Sequence, residues 1–186
     1  MRLFLLFNIL LLTIVSCQKD QNFEKFIVDK NLRSNDTIKL LSKYPELKLF
    51  NNETVESEKR TAYIVQTASY FDQNQEKTIS FDDYKCRARY KNDTLYILLN
   101  NNNGYFGNGV LIQVFNNQFN IKNIDPKTLK NEVKYIKVYN ILAQRLILNS
   151  NTFKKNDSIY GFIDYRCSVD HLVYKHFKGY FKTQIK

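Results

Sequence analysis

A mainly β protein is predicted: an antiparallel β-sandwich, or a closed meander, of about seven or eight strands with one short N-terminal helix. Three observations predict it. Eight segments after residue 60 are rich in Val, Ile, Tyr, Phe and Thr, the residues that suit a pleated, half-buried surface. Asn-rich turn clusters such as "KND", "FNN" and "NSN" separate them. The segments follow one another closely, which favours hairpins over strand–helix–strand units. The chain has 186 residues, 44% hydrophobic and 15% aromatic, so it can build one ordinary core and is no disordered polypeptide.

The elements fall in order. In "SNDTIKLLSKYPEL", Asn35 or Asp36 can cap a short helix, with Ile38, Leu41 and Tyr44 on one face and Pro45 as its stop. "NNETVESEK" is a polar loop. The predicted strands are "TAYIVQTASY", "TISFDDYKCRARY", "TLYILLN", "GVLIQVF", "QFNIKNI", "YIKVYNILAQRLILN", "SIYGFIDYRCSV" and "GYFKTQI". Ile136, Tyr139, Ala143 and Ile147 also fit a helical spacing, but the β-branched and aromatic content there favours a strand.

The N-terminus reads as an address. Arg2 precedes an apolar run from Leu3 to Val15, broken only by Asn8 and Thr13. That run is shorter than the roughly 20 residues a spanning helix needs, and it matches the charged and apolar regions of a secretory signal. Its end, Ile14-Val15-Ser16-Cys17, resembles the lipobox of bacterial lipoproteins, although that family favours Leu where Ile14 stands. The resemblance implies that Cys17 receives a diacylglyceryl group and becomes the acylated first residue of the mature chain. Two or three acyl chains anchor a protein stably where one is marginal.

Gln18 follows Cys17 where Asp would signal retention at the inner membrane of enterobacteria, which implies the outer membrane. "CQKD" also resembles the surface-export signal of Bacteroidota lipoproteins, which implies display at the cell surface. The stretch "LILNSNTFKKNDSIYGFIDY" with the final "GYFKTQI" resembles the ends of small flavobacterial lipoproteins, a likeness that carries no activity. "DTI", "DTL" and "DSI" at residues 36–38, 93–95 and 157–159 resemble the short O-glycosylation motif of the same phylum. The expected organisation is a signal peptide over 1–16, a lipidated polar tether over 17–33 and one β-sandwich domain over 34–186.

The net charge of +10 is uneven. Residues 120–186 hold 13 Lys/Arg against 5 Asp/Glu, while residues 17–119 are almost balanced. Such a basic half favours anionic partners, or serves solubility beside a membrane. In "KCRARYK", alternation places Lys85, Arg87, Arg89 and Lys91 on one strand face, opposite Cys86 and Tyr90. A row of this kind suits sulfate, phosphate or carboxylate groups of an acidic glycan or lipopolysaccharide. The competing reading is a solvated face neutralised by neighbouring acids. Nucleic acid is not expected, because no recognised module accompanies the charge.

Cys86 and Cys167 both lie on inward-facing strand positions, which leaves open a disulfide between the sheets or two buried free thiols. "GYFGNG" at 104–109 has G-x-x-G-x-G spacing with a strand after it, so a hairpin loop is expected rather than a phosphate cradle. Tyr105 and Phe106 sit at its tip. "CSVDHLVYKH" brings Cys167, Asp170, His171 and His176 within ten residues, but histidines five apart share neither a strand face nor a helix face. Neither a metal nor a cofactor beyond the Cys17 lipid is expected. Asp82, Asp83 and Asp164 are available to a hydrolase, yet their spacing singles out no pair. The expected function is therefore binding at the envelope, with the membrane, an anionic glycan or an envelope protein as partner and a hydrolase as the alternative.

Overall fold

Alternating burial along the strands sorts the chain into two stacked sheets. The computed structural model describes residues 23–73, 75–103, 107–124 and 137–186. The strands are β1 (Glu24–Lys25), β2 (Ile27–Val28), β3 (Ala62–Asp72), β4 (Gln75–Phe81), β5 (Lys85–Lys91), β6 (Thr94–Asn100), β7 (Gly109–Phe115), β8 (Gln118–Ile124), β9 (Tyr139–Leu148), β10 (Ser158–Val169) and β11 (Val173–Gln184). One sheet has the order β1-β8-β7-β6-β5, the other β2-β9-β10-β11-β3-β4. All neighbours are antiparallel except β2 and β9. The protein is a β-sandwich.

The inner faces meet in one core. Ile97, Ile112 and Ile121 line up across β6, β7 and β8, and Ile163, Tyr165 and Phe177 oppose them from the other sheet. Burying each such side chain contributes roughly 1.5–3 kcal/mol. Two-residue turns set the register of the meander. Asn92–Asp93 joins β5 to β6 and Asn116–Asn117 joins β7 to β8, all four with positive φ. That backbone matches the strand twist, and Asn and Asp tolerate it better than other non-glycine residues.

The helical segment follows expectation with one exception. A 3-10 turn (Lys30–Ser34) leads into α1 (Asp36–Leu41), whose N-cap Asn35 accepts from the Thr37 and Ile38 N–H groups. Ile38 and Leu41 are buried with Leu32, whereas Tyr44 is half exposed. These three apolar residues stand apart from the inter-sheet core and pack with the helix against β3, β10 and β11.

Three expected boundaries change, the first being that β11 begins at Val173, six residues before the predicted "GYFKTQI". "TISFDDYKCRARY" forms two strands, β4 and β5, in different sheets, with 82–84 crossing between them. Nine strands of seven residues or more result, plus the two-residue β1 and β2, among the described residues. The described part of the expected tether, residues 23–33, belongs to the fold. β1 edges one sheet, β2 edges the other, and Phe26 between them is buried in the core. A buried aromatic ring between two ladder-paired residues holds this segment in place, which its polar composition hides. Cys17, Tyr105 and Phe106 lie outside the described residues.

Candidate functional site

The basic face of β5 is built by alternation and then altered by a loop. Cys86 and Ala88 point into the core as expected, with Arg87 and Arg89 on the other side. Lys85, however, is only 4% exposed. Its Nζ lies 2.6 Å from Glu53 Oε2, and that oxygen also accepts from the Leu49 N–H at 2.7 Å. Burial pushes the Glu53 carboxyl up. The Lys85 hydrogen bond, the Leu49 N–H and the charges of Lys85 and Arg87 outweigh that push and hold it below the ordinary carboxylate value.

Glu56 neutralises the next pair of cations. Its Oε1 is 3.1 Å from Arg87 Nη1 and its Oε2 is 2.5 Å from Lys186 Nζ. The hydrogen bond from Lys186 lowers its pKa most, against burial, with help from the Arg87, Lys186 and Arg89 charges. Arg89 and Lys91 stay exposed. The four cations therefore form two environments: Lys85 and Arg87 are tied to loop acids, while Arg89 and Lys91 face water.

A cleft of about 320 Å³ opens here, between the 46–61 stretch, β5 and the end of β11. Lys59, Lys85, Arg87, Arg89 and Lys186 line it against Glu46, Glu56 and Glu58, leaving the lining positive. Its floor is rigid. The Cys86 N–H donates to Thr61 Oγ1 at 2.9 Å, and that hydroxyl donates to Glu46 Oε2 at 2.6 Å. Lys186 covers part of the β5 edge, because the Tyr90 N–H donates to the Lys186 carbonyl and the Lys186 N–H to the Ala88 carbonyl. Such cover guards an edge strand against pairing with another chain.

The two cysteines are buried and free. The bridge between them, one of the two states the sequence left open, is not formed, and register gives the reason. Cys86, Leu99, Val110 and Asn123 stand in one row across β5, β6, β7 and β8. The Cys167 thiol donates to Asn123 Oδ1 at 3.7 Å, so it sits over β8 at the far end of that row. Three strand spacings separate the two, about 14 Å, whereas bridged Cα atoms lie within roughly 7 Å. Burial, and next the Glu46 charge, pushes the Cys86 thiol up. Burial raises Cys167 too, against its hydrogen bonding with Tyr165, the Lys175 charge and its hydrogen bonding with Asn123. Neither is an activated nucleophile.

The remaining candidates are dispersed. His171 lies in the β10–β11 turn beside Asn140, whereas His176 on β11 bonds Asp164 Oδ1 at 2.9 Å. No group of three metal-ligating side chains occurs among the described residues. Asp83, in the β4–β5 crossing, accepts from Asn101 Nδ2, while Asp164 lies on β10 beside His176 and Lys178. The fold does not bring the hydrolase carboxylates together.

Sequence reasoning missed Glu53, Glu56 and Lys186. A signal was present: Glu53, Glu56 and Glu58 crowd six residues of a loop otherwise read as merely polar. A polar network at the loop end of the sandwich was also missed, running Lys175 Nζ to Asn108 Oδ1 (2.7 Å), Asn108 N–H to Asn101 Oδ1 (2.6 Å) and Asn101 Nδ2 to Asp83 Oδ1 (2.8 Å). Comparison with protein-family models, curated proteins and solved structures finds no match for this chain.

Proposed function

We propose that the chain is a lipid-anchored protein of the bacterial outer membrane, displayed at the cell surface, that works by binding rather than by catalysis. The observation that carries the reading is the placement of Cys17: an apolar run ending in Ile14-Val15-Ser16 precedes it, and the first strand of the sandwich begins at Glu24. Binding is favoured over catalysis by the state of Glu56, which lines the cleft, and of Glu53, which pairs with the lining residue Lys85. Paired cations hold Glu53 and Glu56 below the ordinary value, whereas a general acid at neutral pH needs its pKa raised.

Replacing Cys17 with Ala tests the anchor. The variant is expected to leave the membrane fraction, and continued membrane retention would contradict the reading. External protease added to intact cells is expected to remove the protein; full protection would place it in the periplasm.

A second reading gives the cleft an anionic ligand, an acidic glycan or the phosphate of lipopolysaccharide. The exposed Arg89 guanidinium and the excess of lining cations support it. Retention of the chain on immobilised lipopolysaccharide, lost in Arg87→Ala/Arg89→Ala, is the expected result. Equal retention of the variant would sink it.

A further inference from the structure

The edge formed by β1 and β2 carries an amphipathic surface of its own. Phe23, Ile27 and Val28 are 40%, 48% and 41% exposed, and Leu142 on the neighbouring β9 is 56% exposed. Leu142 is turned out by a bulge, since Ile141 and Ala143 pair with the consecutive residues Cys167 and Arg166 and Leu142 is skipped. Exposed cations share the same segment and the neighbouring strand: Lys25, Lys30 and Arg33 over 25–33, and Arg145 on β9. The local acids are fewer, Glu24, which accepts from Gln144 Nε2 at 3.2 Å, and Asp29, which accepts from the Asn31 N–H at 2.8 Å, against four cations.

We propose that the β1–β2 edge is a membrane-docking surface that lies against the anionic leaflet carrying the Cys17 lipid. The inference rests on the lipid-anchor reading and adds an orientation to it. Six residue steps separate Cys17 from Phe23, and they span at most about 20 Å even when fully extended. β4 and β5, on the other side of the sandwich, lie four to five strand spacings away, roughly 19–24 Å. The tether thus keeps the β1–β2 edge nearest the bilayer. Apolar side chains that share a segment and its neighbouring strand with Lys and Arg match the boundary between acyl chains and anionic headgroups. The cleft beside β5 then faces away from the membrane, open to a ligand.

Fluorescence quenching tests the orientation. The mature protein, purified from membranes, carries an environment-sensitive fluorophore at Ile27→Cys, at Phe23→Cys or, on β4, at Ile79→Cys. The buried Cys86 and Cys167 thiols are shielded from the label. In vesicles of phosphatidylcholine and phosphatidylglycerol containing a nitroxide lipid, residues 23 and 27 are expected to be quenched about threefold more than residue 79. Lys25→Glu/Lys30→Glu is expected to reduce that contrast. Equal urea midpoints for the labelled proteins verify that each is folded. Equal quenching at 23, 27 and 79 in a protein that Cys17→Ala releases from membranes overturns the docking surface alone. Membrane retention in Cys17→Ala overturns the anchor, and the docking surface with it.

Discussion

Lys85 and Glu53 form an ion pair, 2.6 Å apart, with side chains only 5% and 7% exposed. Thirty-two residues separate them in sequence, so the pair ties the polar 46–61 loop to the first residue of β5. A buried pair of this kind is weak evidence of net stabilisation, but breaking one side leaves an uncompensated charge. Lys85→Met is therefore expected to lower unfolding free energy by about 3–5 kcal/mol. Lys85→Met with Glu53→Leu is expected to recover most of that loss. Urea denaturation of the three proteins checks it, and a double variant as unstable as the single one would contradict it.

Acidification acts on the same loop. Glu53 and Glu56 both titrate below their ordinary value of 4.5 in the folded chain. The unfolded chain binds protons first as pH falls, so their contribution is present above about pH 4.5 and is lost as pH drops through the folded values. Stability measured by urea midpoint is expected to decline between roughly pH 5 and pH 3. Glu56→Gln is expected to lie below wild type at pH 7 and to converge with it in acid. Parallel curves would contradict this.

Gly161 lies directly opposite Phe181 across β10 and β11, and a Cβ there would come within 2.1 Å of the Phe181 ring. The ring fills the space that a side chain would occupy. Gly161→Ala is expected to cost on the order of 3 kcal/mol through overpacking, and Gly161→Ala/Phe181→Leu less than that single change. Thermal unfolding of both variants measures the difference.

The cysteines make a chemical prediction. Both thiols are buried and raised in pKa, so a maleimide is expected to label neither in the native protein and both in denaturant. Intact mass before and after reductant is expected to be unchanged. A gain of two mass units on reduction would reveal a bridge and contradict the register.

Much of this architecture was legible in the residues. The strands announced themselves by β-branched and aromatic content, and "KND" and "FNN" by the turns that Asn favours. The helix was legible because Asn35, Ile38, Leu41 and Pro45 supply a cap, a buried face and a stop. The β4–β5 break was not, since Asp82, Asp83 and Tyr84 interrupt the run without a Gly or Pro, and Tyr84 is itself buried. Alternation assigned Lys85 to an outer face correctly but could not show that a loop covers that face. Glu53 reaches it through a long-range contact that no local pattern encodes. The burial of Phe26 was hidden for the same reason, because the partners that enclose it come from the two sheets.

Mass spectrometry of the mature N-terminus tests the central claim most directly. The anchor reading predicts that the first residue is Cys17, carrying a diacylglyceryl thioether, with or without an amide-linked acyl chain. A mature chain that retains residues 1–16, or that begins elsewhere without lipid, would contradict it.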